Sequence, residues 1–342
     1  MSADGLKPFL AVVADGGTLD QAQAETAFDI IMSGNATPAQ LGAFLMALRV
    51  RGETIDEISG AARIMRAKAR HVPAPPGAID TVGTGGDGAG TFNVSTATVF
   101  VIAGCGVPVA KHGNRAISSK SGSADVLAAL GVDLDADYAV VERALNEGGL
   151  CFMLAPRYHS AMRNVAAARV EMGVRTIFNL LGPISNPALV KRQLVGVFAE
   201  KWVEPIARVL GNLGSERAWV VHGKDGLDEL SPAGPTAVAE LKDGRVRRFE
   251  VVPEDAGLAR RPLSEIAGGT AAENAEAMRA LFAGRTGALR EFVLLNAAAG
   301  LVVAGKVEDL RAGARLAAEA IDSGKAQAAL DRLIAITNRK PR

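Results

Sequence analysis

Five glycines, Gly83, Gly85, Gly86, Gly88 and Gly90, crowd one turn directly after the short strand-like stretch 79–82. Such a turn lets backbone N–H groups close on phosphate oxygens with no side chain in the way. Asp87 lies within it, and Thr91, Asn93, Ser95 and Thr96 follow as short hydrogen-bonding groups. Lys111, His112, Gly113, Asn114 and Arg115 add donors and positive charge. Ser118, Ser119, Ser121, Gly122 and Ser123 then precede a helical run at 124–130, whose N-terminus favours an anion through its dipole and free N–H groups. The chemistry these residues suit is the holding of a phosphorylated, anionic ligand. A plain tight turn followed by helix-capping serines is the bland alternative, and it leaves the Lys-His-Gly-Asn-Arg turn unexplained.

Two named motifs compete for the glycines. Gly83-Thr-Gly85-Gly-Asp-Gly88 satisfies the loose G-x-G-x-x-G template, but a dinucleotide fold needs an acidic residue closing the next strand. The next apolar run, 99–110, ends instead in Lys111-His112. No G-x-x-x-x-G-K-[ST] occurs in the chain.

Two further constellations stand apart in sequence. Asp228 and Glu229 follow the apolar strand candidate 219–221 in a glycine-containing loop, where hard oxygen ligands could bridge a divalent cation to substrate phosphates. An adjacent Asp-Glu pair is also common on solvated loops. Arg169 falls at helical spacing with Met162, Val165 and Ala166, so it interrupts an apolar stripe. A guanidinium there suits a planar carboxylate, with an internal salt bridge as the competing reading. His159 belongs to the same helical stretch, and an isolated histidine is more often a structural hydrogen-bonding group than a catalyst.

The segments GTGGDGAGTFNVSTA and KHGNRAISSKSGSADVLAALG resemble the anthranilate phosphoribosyltransferase family, and the similarity runs from the N-terminal helices to near the C-terminus. The sister pyrimidine nucleoside phosphorylases share a glycine loop and a lysine-histidine turn, with a different pattern around the latter. Phosphorolysis by such an enzyme, or nucleic-acid binding by a non-catalytic relative, are the alternative activities. The resemblance implies transfer of a phosphoribosyl group from phosphoribosyl diphosphate to the amine of anthranilate. It assigns phosphoribosyl diphosphate to Gly83, Gly86, Asp87, Thr91, Asn93, Ser95, Thr96, Lys111, His112, Gly113, Asn114, Arg115, Ser118, Ser119 and Ser123. It assigns anthranilate to Gly83, Asn114, His159, Arg169, Gly182 and Pro183. Magnesium falls to Ser95, Asp228 and Glu229, at two ions per subunit, and no general base is assigned. The family also implies a homodimer formed through the N-terminal helical region.

Elements able to position these groups can be read along the chain. The first 71 residues form a helical unit with capping signals at Thr18/Gln21, Thr37/Gln40 and Thr54/Glu57, and helices from about 157–190 are expected to join it in space. A proline-rich linker, 71–77, leads into an α/β unit over 72–342. There, Val/Ile-rich runs at 99–103, 107–110 and 218–222 read as strands of a central, partly parallel sheet. Asp243-Gly244 marks an antiparallel hairpin, which makes that sheet mixed, and Thr270/Glu273 caps a later helix. The fold class is therefore α/β, a small N-terminal helical domain followed by a large α/β domain.

Composition bounds the partners. With 38 Lys+Arg against 37 Asp+Glu and 4% aromatics, the 342-residue chain lacks the basic excess and stacking platforms of a general nucleic-acid binder. The two cysteines, Cys105 and Cys151, lie in apolar runs and read as buried thiols. No apolar run reaches the ~20 residues of a membrane helix. Small-molecule partners, no membrane and a cytoplasmic setting are the expectations.

Overall fold

The computed structural model describes residues 5–116 and 120–339. It opens with four helices, α1 (Lys7–Ala14), α2 (Gln21–Met32), α3 (Pro38–Arg51) and α4 (Ile55–Ala67). Thr37 and Thr54 cap α3 and α4 in reciprocal boxes with Gln40 and Glu57, as their spacing predicts. The start of α2 differs from expectation, because Asp20 with Gln23 forms the box instead of Thr18 with Gln21. That shift leaves Leu19 outside the helix, fully buried, with its N–H donating to Glu57 Oε1 at 3.0 Å. Phe28 of α2 makes edge-on contacts of 5.9 Å with both Phe44 of α3 and Phe178.

Beyond the linker come β1 (Ile79–Gly83), α5 (Val94–Gly104), β2 (Val109–Gly113), α6 (Ser123–Leu130), α7 (Tyr138–Gly148) and β3 (Leu150–Leu154). Short helices α8 (Ala155–Tyr158), α9 (Arg163–Met172) and α10 (Phe178–Leu181) lead to β4 (Arg192–Gly196), α11 (Val203–Asn212) and β5 (Arg217–Gly223). The hairpin β6 (Thr236–Lys242) and β7 (Arg245–Val251) follows, then α12 (Ala271–Phe282), α13 (Ala288–Val303), α14 (Leu310–Asp322) and α15 (Lys325–Thr337). The residues 99–103, expected as a strand, lie inside α5. That helix is buried from Thr96 to Ala103, so no polar face breaks its Val/Ile run into a helical period.

The seven strands run in the order β3-β2-β1-β4-β5-β6-β7, parallel from β3 through β5 and antiparallel beyond. The expected mixed sheet is present. Asp243 and Gly244 both take positive φ, 51° and 72°, the type I′ geometry that an Asp-Gly hairpin favours. Alternation along the strands divides the core in two. Leu194, Trp219, Val221 and Val238 face the cluster that contains α5, α13 and α15. Val195, Val220, Ala239 and Leu241 face α11 and the N-terminal helices, in a cluster that also holds Val165, Phe178 and Leu181.

From β1 the chain goes to β2 and β3 on one side and returns to β4 on the other. The carboxyl ends of β1 and β4 therefore bound a crevice at a topological switch point, the place where open α/β sheets bind ligands.

Candidate active site

Gly83 and Gly196 close β1 and β4 and are register partners. A side chain on Gly83 would run into the Asp228 carboxylate, and one on Gly196 would overlap the Asp228 carbonyl. Two bare positions thus let Asp228 lie across the ends of both strands. The glycine loop then folds onto it, with Gly85 N–H donating to Asp228 Oδ2 at 2.6 Å and Thr84 N–H to Gly196 O at 3.0 Å. Gly86 has φ of 74°, and its carbonyl accepts from the Arg175 guanidinium.

Negative charge is concentrated here. Burial, and then the neighbouring Asp87, push the Asp228 carboxyl up to about 7. Burial and Asp228 together raise Glu229 well above the carboxylate range, against the opposing pull of Lys111 and a hydrogen bond from Ser95. Lys111 is itself buried and donates to Thr81 O at 2.8 Å. Burial lowers its pKa, while Asp80 and Glu229 hold its proton on. Asp80, pushed up to about 6 by burial, accepts from Asn186 Nδ2 at 2.7 Å. Asp80, Lys111 and Glu229 form an alternating chain of charge leading to Asp228 and Asp87. Positive charge is in deficit at its open end.

A second group gathers around Asn93. Its Oδ1 accepts from Asn274 Nδ2 at 2.8 Å and its Nδ2 donates to Ser121 O at 3.1 Å. Asn274 is buried and also accepts from Gly269 N–H at 2.8 Å. Segment 266–269 pairs with the far end of the glycine loop through Phe92 N–H to Ile266 O and Gly268 N–H to Gly90 O, while Thr91 bridges Ala267. Thr96 is buried nearby on α5, its hydroxyl without a partner among the described residues. The Lys111–Ser123 turn is closed by Asp125, whose Oδ2 accepts from both Ala116 and Gly122 N–H at 2.9 Å, with Arg115 on Oδ1. Burial raises the Asp125 carboxyl, but these donors outweigh it and the net shift is downward. Asn114 O accepts from Ser123 Oγ at 3.3 Å, and a side chain at Gly113 would meet Ser123 Oγ and the Phe152 ring. Ser118 and Ser119 lie outside the described residues.

The third group is Arg169, His159 and their neighbours. Arg169 is half-buried on α9, its guanidinium 5.4 Å from the Phe178 ring centre. It forms no ion pair among the described residues, and burial lowers its pKa. Met162 and Val165 share its buried side, while Ala166 is exposed. His159 is not on α9, contrary to expectation; it is the junction between α8 and a turn of 3₁₀ helix at Ser160–Met162. Its ring lies 5.0 Å from that of His112. Burial holds both imidazoles neutral, pulling His112 down to about 3 and His159 to about 4. Backbone of Gly182 flanks His112, and Pro183 O accepts from Gln193 Nε2 at 3.1 Å.

Sequence reasoning passed over Gly196, Asn274, Asp125 and Arg175. Asp125 stands three residues after Gly122, the spacing of an N-terminal capping box, and the Gly268-Gly269 pair ahead of Thr270 signalled a close backbone approach. Nothing in sequence tied Gly196 to Asp228 or Arg175 to Gly86.

Residues 7–69 match the helical bundle domain of the glycosyl transferase family and residues 75–327 its a/b domain. The chain belongs to that two-domain glycosyl transferase family. It is 64% identical over 334 residues to the anthranilate phosphoribosyltransferase of Paramagnetospirillum magneticum, covering 98% of this chain and 96% of the relative. Among solved structures, the anthranilate phosphoribosyltransferase of Thermus thermophilus superposes with a TM-score of 0.92 at 43% identity, covering 96% of this chain and 99% of the other. That of Saccharomyces cerevisiae, in complex with PRPP and Mg, superposes at 0.90 with 28% identity and 98% of both chains covered. Within the family, the chain is one of the anthranilate phosphoribosyltransferases.

Proposed function

We infer that this chain transfers the 5-phosphoribosyl group of phosphoribosyl diphosphate to the amine of anthranilate, releasing diphosphate, in tryptophan biosynthesis. The observation that carries the assignment to this site is the lodging of Asp228, beside Glu229, across the paired glycine ends of β1 and β4. Asp228, raised by burial and Asp87, and Glu229, raised by burial and Asp228 against Lys111, are a donor set short of positive charge, and a hard divalent cation supplies what is missing. Magnesium fits, at two ions per subunit, with Asp228 and Glu229 as ligands and Ser95 supporting the set. When bound, it neutralises the departing diphosphate.

The chain's own groups do the rest. Gly83, Gly86 and Asp87 in the loop, with Thr91, Asn93, Ser95 and Thr96, hold the phosphates on one side. Asn114, Arg115 and Ser123 close the other side, in a turn that Asp125 keeps in shape. Lys111, committed to the Thr81 carbonyl, acts from beneath as a fixed countercharge for Glu229. Arg169 offers its fork to the anthranilate carboxylate, and the neutral His112–His159 pair with Gly182 and Pro183 forms an uncharged wall for the ring. An aniline nitrogen is uncharged at neutral pH, so attack in line with the departing diphosphate needs placement more than a base.

The same reading divides the chain at 1–71 and 72–342, with helices of about 157–190 packed on the first part, pairs subunits through the N-terminal helices and places the enzyme in the cytoplasm. Among the described residues no helix is long and apolar enough to cross a membrane. The test is loss of anthranilate fluorescence on adding phosphoribosyl diphosphate and magnesium to purified protein. Loss that stops with EDTA supports the reading; unchanged fluorescence at saturating substrate overturns it.

A further inference from the structure

An open groove of about 420 Å³ lies at the amino end of β4, opposite the end that carries the carboxylates. Its walls come from three separate segments: the C-terminal end of α4 with the following linker, the turn that enters β4, and the turn that leaves α11. Among the described residues, four of its lining side chains carry basic nitrogen, Arg63, Arg66, His71 and Lys191, and no Asp or Glu lines it.

Arg66 is held in place without being neutralised. Arg66 donates through Nε to Ile184 O at 2.8 Å and through Nη1 to Leu213 O at 3.2 Å, while its Nη2 is buried with no partner among the described residues. Carbonyl oxygens accept hydrogen bonds but bring no net charge, so the guanidinium remains an uncompensated ion in a half-buried place. Burial, and then Arg63, lower its pKa to about 10, which reflects the same deficit. Arg63 donates to Asn212 O at 3.0 Å and meets one outlying acid, Glu25, at 3.7 Å. The exposed Lys191 forms no ion pair among the described residues, and its ammonium lies over Gly214, where a side chain would approach Nζ to 3.3 Å. His71 Nε2 is engaged by the Arg66 carbonyl at 2.8 Å.

Apolar surface adjoins these charges. Leu189 is an exposed large hydrophobic and, among the described residues, the one besides Asp243 that takes positive φ without being glycine, at 50°. A branched side chain in that conformation is strained, and such outliers cluster where a segment is shaped for a ligand. Leu189 and Leu213 together give an organic body a surface to rest on beside the cationic nitrogens.

We propose that this groove is a second anion site, which takes a small phosphorylated organic molecule with its phosphate on Arg63, Arg66 and Lys191 and its apolar part on Leu189 and Leu213. Guanidinium forks and an ammonium together suit a tetrahedral dianion. β4 separates this groove from the carboxylate end, so a ligand here does not occupy the substrate crevice.

The test uses inorganic phosphate as probe, titrated calorimetrically at fixed ionic strength into wild-type enzyme and into an Arg63→Gln/Lys191→Gln double variant. Both positions are exposed, so the variant keeps its melting temperature and its turnover to within twofold. Wild type is expected to show a saturable phosphate-binding event whose Kd rises at least tenfold in the variant, and crystals soaked in phosphate should carry density between Arg66 and Lys191. No saturable event in wild type, equal affinity in both proteins, or a variant that loses turnover together with phosphate binding would each overturn the proposal.

Discussion

Strand β4 ends at Gly196 and begins just after Lys191, and its two ends are built in opposite ways. At the carboxyl end side chains are absent where the strands stop, and acids crowd in until burial and mutual repulsion raise two of them. At the amino end basic side chains from α4 and its linker meet Lys191 at the entry to β4, the two arginines held by carbonyls and no Asp or Glu among the described residues lining the groove. One end lacks positive charge and the other lacks negative. A frame that holds like charges together at a cost to its own stability marks a place where something of opposite charge completes the set. On the proposed function a divalent cation answers the first deficit, and an anion would answer the second.

The sharpest way to break the contrast is to remove the acids. Asp228→Asn with Glu229→Gln should lower turnover by at least about 100-fold, the scale expected when charge stabilisation of a leaving group is lost. Thermal stability of the ligand-free protein should hold or rise, because two carboxyls that ionise less readily in the folded state have been replaced by neutral amides. Turnover against magnesium concentration and a melting curve check both halves. A double variant with full activity and unchanged magnesium dependence removes the carboxyl end from the mechanism.

Next in size is Gly83→Ala. The added methyl group meets the Asp228 carboxylate, and overpacking of this kind costs about 1–3 kcal/mol. If the carboxylate gives way instead of the backbone, the cost appears in catalysis, as a fall in kcat of about 10–100-fold at ~1.4 kcal/mol per factor of ten. Steady-state kinetics beside a melting curve separate the two. Unchanged kinetics would mean that the position of Asp228 over the strand ends is incidental.

Arg169→Ala tests the crevice on its anthranilate side. Loss of a charge-assisted contact of about 1.5–3 kcal/mol should raise the anthranilate KM by roughly 10–100-fold and leave the phosphoribosyl diphosphate KM nearly in place. Because Arg169 has no ion pair among the described residues and rests on Phe178, little stability should go with it. A large drop in melting temperature with an unchanged anthranilate KM would make the residue structural.

What could be read in sequence was what lay close together in it. The glycine loop, the Lys111–Ser123 turn, the Asp228-Glu229 pair, the Asp243-Gly244 hairpin and two of the three N-terminal caps each fit within a few residues, so local propensity declares them. The run inside α5 misled because a helix buried on all sides shows no period. Gly196 was illegible because its need for a hydrogen atom comes from Asp228, which reaches it only through strand pairing. The basic groove was illegible for the same reason: Arg66, Lys191 and Leu213 are brought together by the packing of α4 and α11 and by the entry into β4, and each alone reads as an ordinary surface or apolar residue.

The smallest expected effect sharpens the comparison most. Lys191→Gln alters the amino end of β4 five residues before Gly196. Turnover and both substrate KM values should stay within twofold, since the proposed function puts substrates and magnesium at the other end of the strand. Stability should change by no more than about 0.5 kcal/mol, as for most exposed substitutions, and any change should be upward in the absence of anions, because one of three neighbouring positive charges has been removed. Melting curves in chloride and in phosphate at matched ionic strength expose the difference: phosphate should stabilise wild type more than the variant, since a ligand stabilises only the state that binds it. A tenfold fall in turnover from this one change would mean that β4 transmits charge from one end to the other, and that the two deficits belong to a single site.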